Sequence, residues 1–150
     1  MDQPELKGLR DLRDRWVSKV YKGPPVQVNV FAAQPKTVTQ LPSTFTTLLS
    51  LSLPAGPFVV FANVAGFLHT TGALAGSMDC ELNRSNGLLL GFLPTILAPS
   101  MPGYVSLNVY GVLQSLDTIT LDCEGSPPAG DSISAFATLT AIQVGSLTQQ

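Results

Sequence analysis

The residue types that could support chemistry gather around the two cysteines of the chain. Cys80 is the middle residue of Asp-Cys-Glu at positions 79–81, and Cys123 is the middle residue of Asp-Cys-Glu at positions 122–124. If both segments are strands of one sheet, the two cysteines face each other on the core side, because successive side chains of a strand point to opposite faces. They then either form a disulfide or remain as two buried free thiols.

Four carboxylates flank these cysteines and point outward together if the two segments pair. They are Asp79, Glu81, Asp122 and Glu124. Paired carboxylates hydrolyse glycosides, and carboxylate oxygens are ligands that Ca²⁺ prefers. A solvated acidic surface has the same composition, and the sequence contains no Asp-x-Asp-x-Asp-Gly calcium loop. We therefore expect an acidic surface without a metal site.

The remaining chemistry-bearing residues form no catalytic pattern. His69 is the only histidine, and with two cysteines it does not complete a zinc site of the usual spacing. The sequence has no Gly-x-Ser-x-Gly nucleophile turn. Gly66, Gly72, Gly76 and Gly87 precede no predicted helix, as a phosphate-binding loop would require. We expect a polar loop histidine, no enzymatic activity and no cofactor.

Charge is scarce and unevenly distributed along the chain. Charged residues make up 12% of the sequence, about half of the usual share. Residues 1–22 contain six basic and four acidic residues, whereas residues 23–150 contain only Lys36 and Arg84 against six acidic residues. So little charge indicates that part of the surface of residues 23–150 is buried against copies of the chain or against a larger assembly. Alternatively, the domain works outside the cell, where Ser/Thr-rich β proteins are common. Because the body lacks a basic stripe, we expect no nucleic-acid binding.

No segment has the pattern of an export signal or a membrane span. The first 22 residues are charged throughout and lack the apolar stretch of a signal peptide. The apolar run at 88–93 is followed by Pro94 and is too short to cross a bilayer. We expect no membrane binding, and a chain made in the cytosol that is kept there, released by lysis or exported by another route.

Residues 4–21 are predicted to form a short helix. Leu6, Leu9, Leu12, Trp16 and Val20 recur at spacings of three and four residues, which places them on one helix face. The sequence Gly-Pro-Pro at 23–25 ends the pattern. A helix of about five turns is marginal alone in water and requires a partner surface. The candidate attachment contacts are Leu9, Leu12, Trp16 and Val20.

From residue 26 the apolar period changes from 3.6 to 2, which predicts strands. The residues predicted to face the core are Val26, Val28, Val30, Phe58, Val60, Ala62, Val64, Cys80, Leu82, Val105, Leu107, Val109, Ile119, Leu121, Cys123, Ile133, Ala135, Ala137, Leu139 and Ala141. The runs at 44–53 and 58–68 are predicted to form a hairpin around the turn at 54–57. The run at 88–97 contains Pro94 and is predicted to be an edge strand.

Eight or more strands separated by turn signals, with no helical pattern after residue 23, predict an all-β fold. The expected architecture is a jelly-roll β-sandwich with a short N-terminal helix and an extended linker. We divide the chain into an attachment arm at 1–43, which contains the helix and the linker, and a jelly-roll domain at 44–150.

Four segments of the chain resemble a known family. They are FTTLLSLSLPAGPFVVFANV (45–64), DCEL (79–82), ITLDCE (119–124) and LTAIQVGSL (139–147). They are similar to the jelly-roll head domains of fibre-type proteins from actinobacterial phages and their hosts, which share the plan of tumour-necrosis-factor-like and complement-like jelly rolls. The resemblance covers about two thirds of the chain and implies a homotrimer. The absence of a collagen-like Gly-x-y tract from the sequence favours a compact module on a larger particle over a long fibre.

Outward-facing aromatic residues indicate where copies would meet. Phe61, Phe67, Phe92 and Tyr110 lie opposite many core positions in the alternation, so we expect them on the oligomer contact face. We predict a non-enzymatic phage virion protein. It would be a homotrimer on the particle surface, attached through its N-terminal segment to the major capsid protein or another virion protein, as a decoration protein or head fibre. The alternative is the receptor-binding tip of a tail fibre, whose loops at 69–77, 99–103 and 125–131 bind a host surface glycan.

Overall fold

The computed structural model describes residues 28–145, and every regular element in this range is a strand. The predicted helix at 4–21 lies outside the described residues. The strands in chain order are β1 (Asn29–Ala32), β2 (Lys36–Val38), β3 (Thr46–Leu53), β4 (Gly56–His69), β5 (Gly76–Arg84), β6 (Leu89–Leu97), β7 (Gly103–Leu113), β8 (Asp117–Ser126) and β9 (Ser132–Gln143). Within this part of the chain, no helix has the length and apolarity needed to cross a membrane.

The strands form two sheets. The first sheet has the order β1-β9-β4-β7, with β2 also paired to β9, and the second has the order β3-β8-β5-β6. All pairings are antiparallel. From β3 to β9, only β5 and β6 are consecutive strands of one sheet, and every other connection crosses between the sheets. This is the jelly-roll arrangement of two packed sheets, so the predicted fold class is confirmed.

A single apolar layer between the sheets forms the core. Burial alternates residue by residue along β4, β5, β8 and β9, as the period-2 pattern predicts. Phe58, Leu82, Ile119 and Leu139 are among its largest fully buried side chains. Every predicted core residue from Phe58 to Ala141 is buried except Val109, which is partly buried against the same cluster.

The side chains of β1 that point into the core are not the predicted ones. Val28 and Val30 are 54% and 63% exposed, and Phe31 instead points into the core. Phe31 lies opposite the buried Ala141 in the β1–β9 ladder, and its ring meets that of Phe58 edge to face, with ring centroids 5.8 Å apart. Val26 lies outside the described residues. The three alternating valines predicted that the valine side chains of this strand would face the core. Phe31 is buried instead, because burial of its larger aromatic ring removes more apolar area from water.

The predicted hairpin of β3 and β4 is wrong. β3 pairs with β8 in the second sheet, whereas β4 pairs with β7 and β9 in the first. Pro54 and Ala55 therefore connect the two sheets. Because the two strands lie in different sheets, their apolar residues reach the core from opposite sides, with Leu53 of β3 and Phe58 of β4 both buried.

The division of the chain at residue 43 also differs in the structure. β1 and β2 precede residue 44, yet their backbones pair with β9, and Leu41 is buried in the core. These residues satisfy their backbone hydrogen bonds within the first sheet. The sandwich therefore begins at β1, and only residues before it remain available as an arm.

One end of the sandwich, called the tip here, carries the longer connections. His69 at the end of β4 pairs with Ser132 at the start of β9, and Gly76 at the start of β5 pairs with Leu97 at the end of β6. The connections at 39–45, 70–75, 98–102 and 127–131 therefore lie at the same end.

The opposite end, called the base, carries the entry and exit of the described chain. Asn29 pairs with Gln143, so the start of β1 and the end of β9 are neighbours. Gly56 pairs with Leu113 at the same end. The segment that precedes residue 28 therefore joins the sandwich at the end opposite to the tip.

Two glycines make room for core side chains in the β4–β7 ladder. Gly66 and Gly103 are directly opposite each other, and Met78 and Leu97, both 0% exposed, fill the space above them. A Cβ atom on Gly103 would overlap the side chain of Leu97, which is fully buried, so this side chain or the backbone would have to shift within a close-packed core.

We expect Gly103→Ala to lower the free energy of unfolding by about 1–3 kcal/mol through overpacking. Gly111→Ala is the matched control in the same strand, because its Cβ would meet no atom within 4 Å. That control should leave stability unchanged or raise it slightly. Urea unfolding of both variants measures the difference, and equal losses would contradict this packing argument.

Candidate functional site

The first sheet presents an outer face without charge along β1, β4, β7 and β9, whereas Lys36 of the short strand β2 lies opposite the inward-facing Ala137. β1, β4, β7 and β9 contain no Asp, Glu, Lys or Arg at any position. The large apolar residues that point outward from these strands, called the apolar face here, are Val30, Val59, Phe61, Phe67, Tyr104, Tyr110, Val112, Phe136 and Ile142. Exposed apolar patches on a protein surface mark interaction sites.

Cross-strand pairing joins these side chains into rows. Val59 lies between Ile142 of β9 and Tyr110 of β7. In a second row, Ala65 lies between Phe136 and Tyr104. Directly opposite side chains are about 5 Å apart at Cβ and contact each other. Each row is therefore apolar across three strands, and a polar row of Asn63, Ser106 and Thr138 lies between the two.

The sequence of β4 shows why this face is apolar. Its inward residues Phe58, Val60, Ala62 and Val64 are buried, yet Val59, Phe61, Ala65 and Phe67 on the other side are also apolar. Strands that are apolar on both faces are typical of sheets covered on both sides. Among residues 28–145, only the inner one of these sides is covered.

The structure brings together three of the four predicted contact residues. Phe61, Phe67 and Tyr110 lie on the apolar face, whereas Phe92 lies on β6, at the edge of the second sheet and opposite Glu81. The sequence interpretation missed Tyr104 and Phe136, although both follow the same alternation. Leu9, Leu12, Trp16 and Val20 lie outside the described residues.

The second sheet presents an acidic outer face. Asp79 lies opposite Glu124 and Glu81 lies opposite Asp122, across β5 and β8. The Asn83 side-chain amide donates to Glu81 at 2.7 Å and to Asp122 at 2.9 Å. Among residues 28–145, no group of three or more His, Cys, Asp or Glu side chains is arranged to hold a metal ion. The two outer faces therefore differ in electrostatic character.

The cysteines lie on the inner side of the same two strands. Cys80 and Cys123 are directly opposite in the β5–β8 ladder, and the structure joins them in a disulfide. Both are fully buried. The bridge links β5 to β8 in the middle of the core.

His69 is the last residue of β4 and lies at the tip border of the apolar face. Its Nε2 is 2.7 Å from the Ser134 hydroxyl oxygen on the neighbouring strand β9. In the described part of the chain, no other side chain is hydrogen-bonded to this ring. The pair sits on an open sheet surface, which does not form a substrate cleft.

A polar cluster that the sequence interpretation missed closes the base of the sandwich. Asp117, only 8% exposed, accepts hydrogen bonds from Arg84 Nε at 2.6 Å, the Ser85 hydroxyl and the Thr118 amide at 2.8 Å. The Ser85 hydrogen bond, followed by those from Arg84 and Thr118, lowers the pKa of Asp117 to about 2, although burial opposes the shift.

The cavity beside this cluster is small. Leu53, Phe58, Leu90 and Val109 are among its mostly apolar lining residues, and its volume is about 40 Å³. Ligand pockets usually exceed about 300 Å³. The cavity has room for a few water molecules but not for a substrate of ordinary size.

Solved structures of infectious bursal disease virus share this fold. A structure of the Gx strain matches with a TM-score of 0.51 at 14% identity, over 81% of this chain and 34% of that chain. A structure of the Gt strain matches with a TM-score of 0.50 at 16% identity, over 81% of this chain and 34% of that chain. The chain thus spans about a third of the length of these structures. No protein-family model and no curated protein matches the chain.

We expect the stability of the protein to fall steeply in acid because of Asp117. Its folded pKa of about 2 lies below the ordinary value of 3.8, so its stabilising contribution is present above about pH 4 and is lost as the pH falls through 2. Asp117→Asn should lose about 1–3 kcal/mol at neutral pH. Unfolding measured from pH 7 to pH 2 should show a shallower acid slope for this variant. An identical slope in both proteins would contradict the assignment.

Removal of the disulfide should destabilise the sandwich without changing its fold. A bridge between residues 43 apart in sequence constrains the unfolded chain by about 3–4 kcal/mol. The double variant Cys80→Ala with Cys123→Ala should lose about this much in thermal or urea unfolding. A reductant should weaken the wild type and leave the double variant unaffected. Full stability of the reduced wild type would count against the bridge.

Proposed function

We propose that this chain is a non-enzymatic structural protein of a bacteriophage virion. It is a homotrimeric jelly roll attached through its N-terminal segment to the major capsid protein or another virion protein, as a decoration protein or head fibre. It is made in the host cytoplasm and displayed on the particle surface. The observation that carries this proposal is the uncharged apolar face of the first sheet.

The distribution of charge selects the surface through which copies meet. The paired carboxylates of the second sheet would oppose like charges if two copies met there, which is unfavourable. The apolar face has no such charges to desolvate or repel. Burial of Tyr104 and Tyr110, which are 68% and 59% exposed, would remove large apolar areas from water.

The positions of the chain ends support attachment at the base. The segment before residue 28 joins β1 at the base, while the connections at 70–75, 98–102 and 127–131 lie at the tip. β4 alone has 14 residues, so the two ends are about 45 Å apart. An arm bound to a shell would therefore leave the tip loops pointing away from it.

The likeness to viral structures supports a place in a virion. The fold is used for many functions, so the likeness carries no assignment alone, but it agrees with the apolar face and with the start of β1 at the base.

A receptor-binding tail-fibre tip is the second candidate. The convergence of the three loops at the tip favours it, because neighbouring loops on a rigid scaffold form binding sites. In this case the loops would bind a host surface glycan. The two candidates share the trimer and differ in the part of the chain that makes the external contact.

Deletion of residues 1–22 tests the attachment. We expect the full chain to be a trimer by light scattering, to bind phage particles that lack it and to raise their resistance to heat, because it binds only the assembled shell. The truncated chain should remain a trimer and lose particle binding. Leu74→Lys at the tip is the matched control, and this variant should still bind the particles.

Two other results of this experiment would change the proposed function. A monomeric full chain without affinity for particles would overturn the virion role. A truncated chain that binds host cells, with Leu74→Lys reducing that binding, would instead identify the tail-fibre tip.

A further inference from the structure

We propose that the N-terminal segment of the chain docks with its apolar side on the base of its own sandwich. The occupant of the base is therefore the segment at 4–21, for which the sequence predicts a helix. This inference rests on the proposed function in one respect. Other copies in the homotrimer cover the apolar face, which leaves the base as the nearest apolar surface for the arm.

The base carries exposed apolar side chains on two neighbouring connections. Leu88 precedes β6 and Leu89 begins it, and each is 51% exposed. Leu116, between β7 and β8, is 74% exposed. Asp117 joins the two connections, because it accepts a hydrogen bond from the Ser85 hydroxyl. The three leucines are therefore grouped at one end of the sandwich and are called the base patch here.

Charge does not oppose docking on the base patch. In the described chain, the base connections at 54–55, 85–88 and 114–116 contain no Asp, Glu, Lys or Arg. The charged side chains beside them, Arg84 and Asp117, pair with each other at 2.6 Å. The apolar side of a helix can therefore cover this surface without taking an unpaired ion out of water.

The linker before β1 is long enough to place the helix at the base patch. β1 and β7 are three strand spacings apart in the first sheet, which is about 14 Å, and the two sheets are about 10 Å apart. Residues 22–27 connect the predicted helix to the described chain, and six extended residues span about 20 Å. The tip lies about 45 Å from the base, so the same linker is too short to place the helix there.

Docking supplies the stabilisation that the helix lacks alone. A helix over 4–21 is about 27 Å long, and a short helix is marginal in water. Leu9, Leu12 and Trp16 lie on its apolar side. Burial of these side chains against the base patch removes apolar area from water on both surfaces. Because the helix and the base belong to one chain, the linker keeps them at a high effective concentration.

A docked arm presents its charged side to the shell. Lys7, Asp11 and Arg15 recur at spacings of four residues, which places them on one side of the predicted helix. Leu9 and Trp16 lie on the opposite side. The attachment to the shell is then made by charged side chains, and such contacts weaken as the salt concentration rises.

The fluorescence of Trp16, the only tryptophan of the chain, tests the docking in the full protein. We expect the wild type to emit at a shorter wavelength than its urea-unfolded form, because the indole ring is buried. Leu116→Lys and Leu88→Lys should each shift the emission towards that of the unfolded form, since a charge on the base patch opposes burial. Leu74→Lys at the tip has an exposure similar to that of Leu116 and is the matched control. It should leave the emission unchanged, and circular dichroism should show that all three variants are folded.

The same measurements can contradict the docking. A wild type that emits like its unfolded form, or base-patch variants that emit like the wild type, would overturn it. A shift caused by Tyr110→Lys and not by Leu116→Lys would place the arm on the apolar face and would also overturn it. Particle binding that is unchanged in high salt would overturn the charged contact with the shell. These results leave the particle binding of the wild type intact, whereas the absence of that binding would overturn the proposed function itself.

Discussion

The β4–β9 ladder is the constraint on which the rest of the fold depends. Its twelve residue pairs join strands from distant parts of the chain at the centre of the first sheet. A slip by one residue would turn Ala137 and Leu139 outward and Phe136 inward, because side chains alternate with a period of 2. β1 and β2 pair with β9, and β7 pairs with β4. The core, the base and the apolar face therefore all depend on the register of the β4–β9 ladder.

This register also determines the difference between the two outer faces. The inward positions of β4 and β9 fill the core, so no other strand between residues 28 and 145 packs on their outward apolar residues. In the second sheet, the outward positions of β3, β5 and β8 carry Ser, Thr, Asn and carboxylates, whereas the edge strand β6 exposes Phe92 and Ile96. A protein that exposes apolar residues mainly on one sheet is suited to assembly through that sheet.

Local alternation made much of the core predictable. Residues such as Val60, Leu121 and Leu139 are buried as predicted, because the period of a strand depends on the backbone and not on its partner. The outward positions of Phe61, Phe67 and Tyr110 follow from the same alternation. The disulfide partners were also identifiable, but only as one of two alternatives, since neighbouring strands cannot be inferred from spacing.

The sequence by itself determined the fold class, the alternation of most strands and the scarcity of charge in the body. Only the tertiary structure decided that β3 and β4 lie in different sheets, that Phe31 rather than Val30 faces the core, and that Asp117 and Arg84 meet at the base. These features depend on contacts between residues far apart in sequence. The alternation of side chains is a property of each strand alone. Which strands pair depends on the whole chain, because the favoured arrangement is the one that buries the most apolar area.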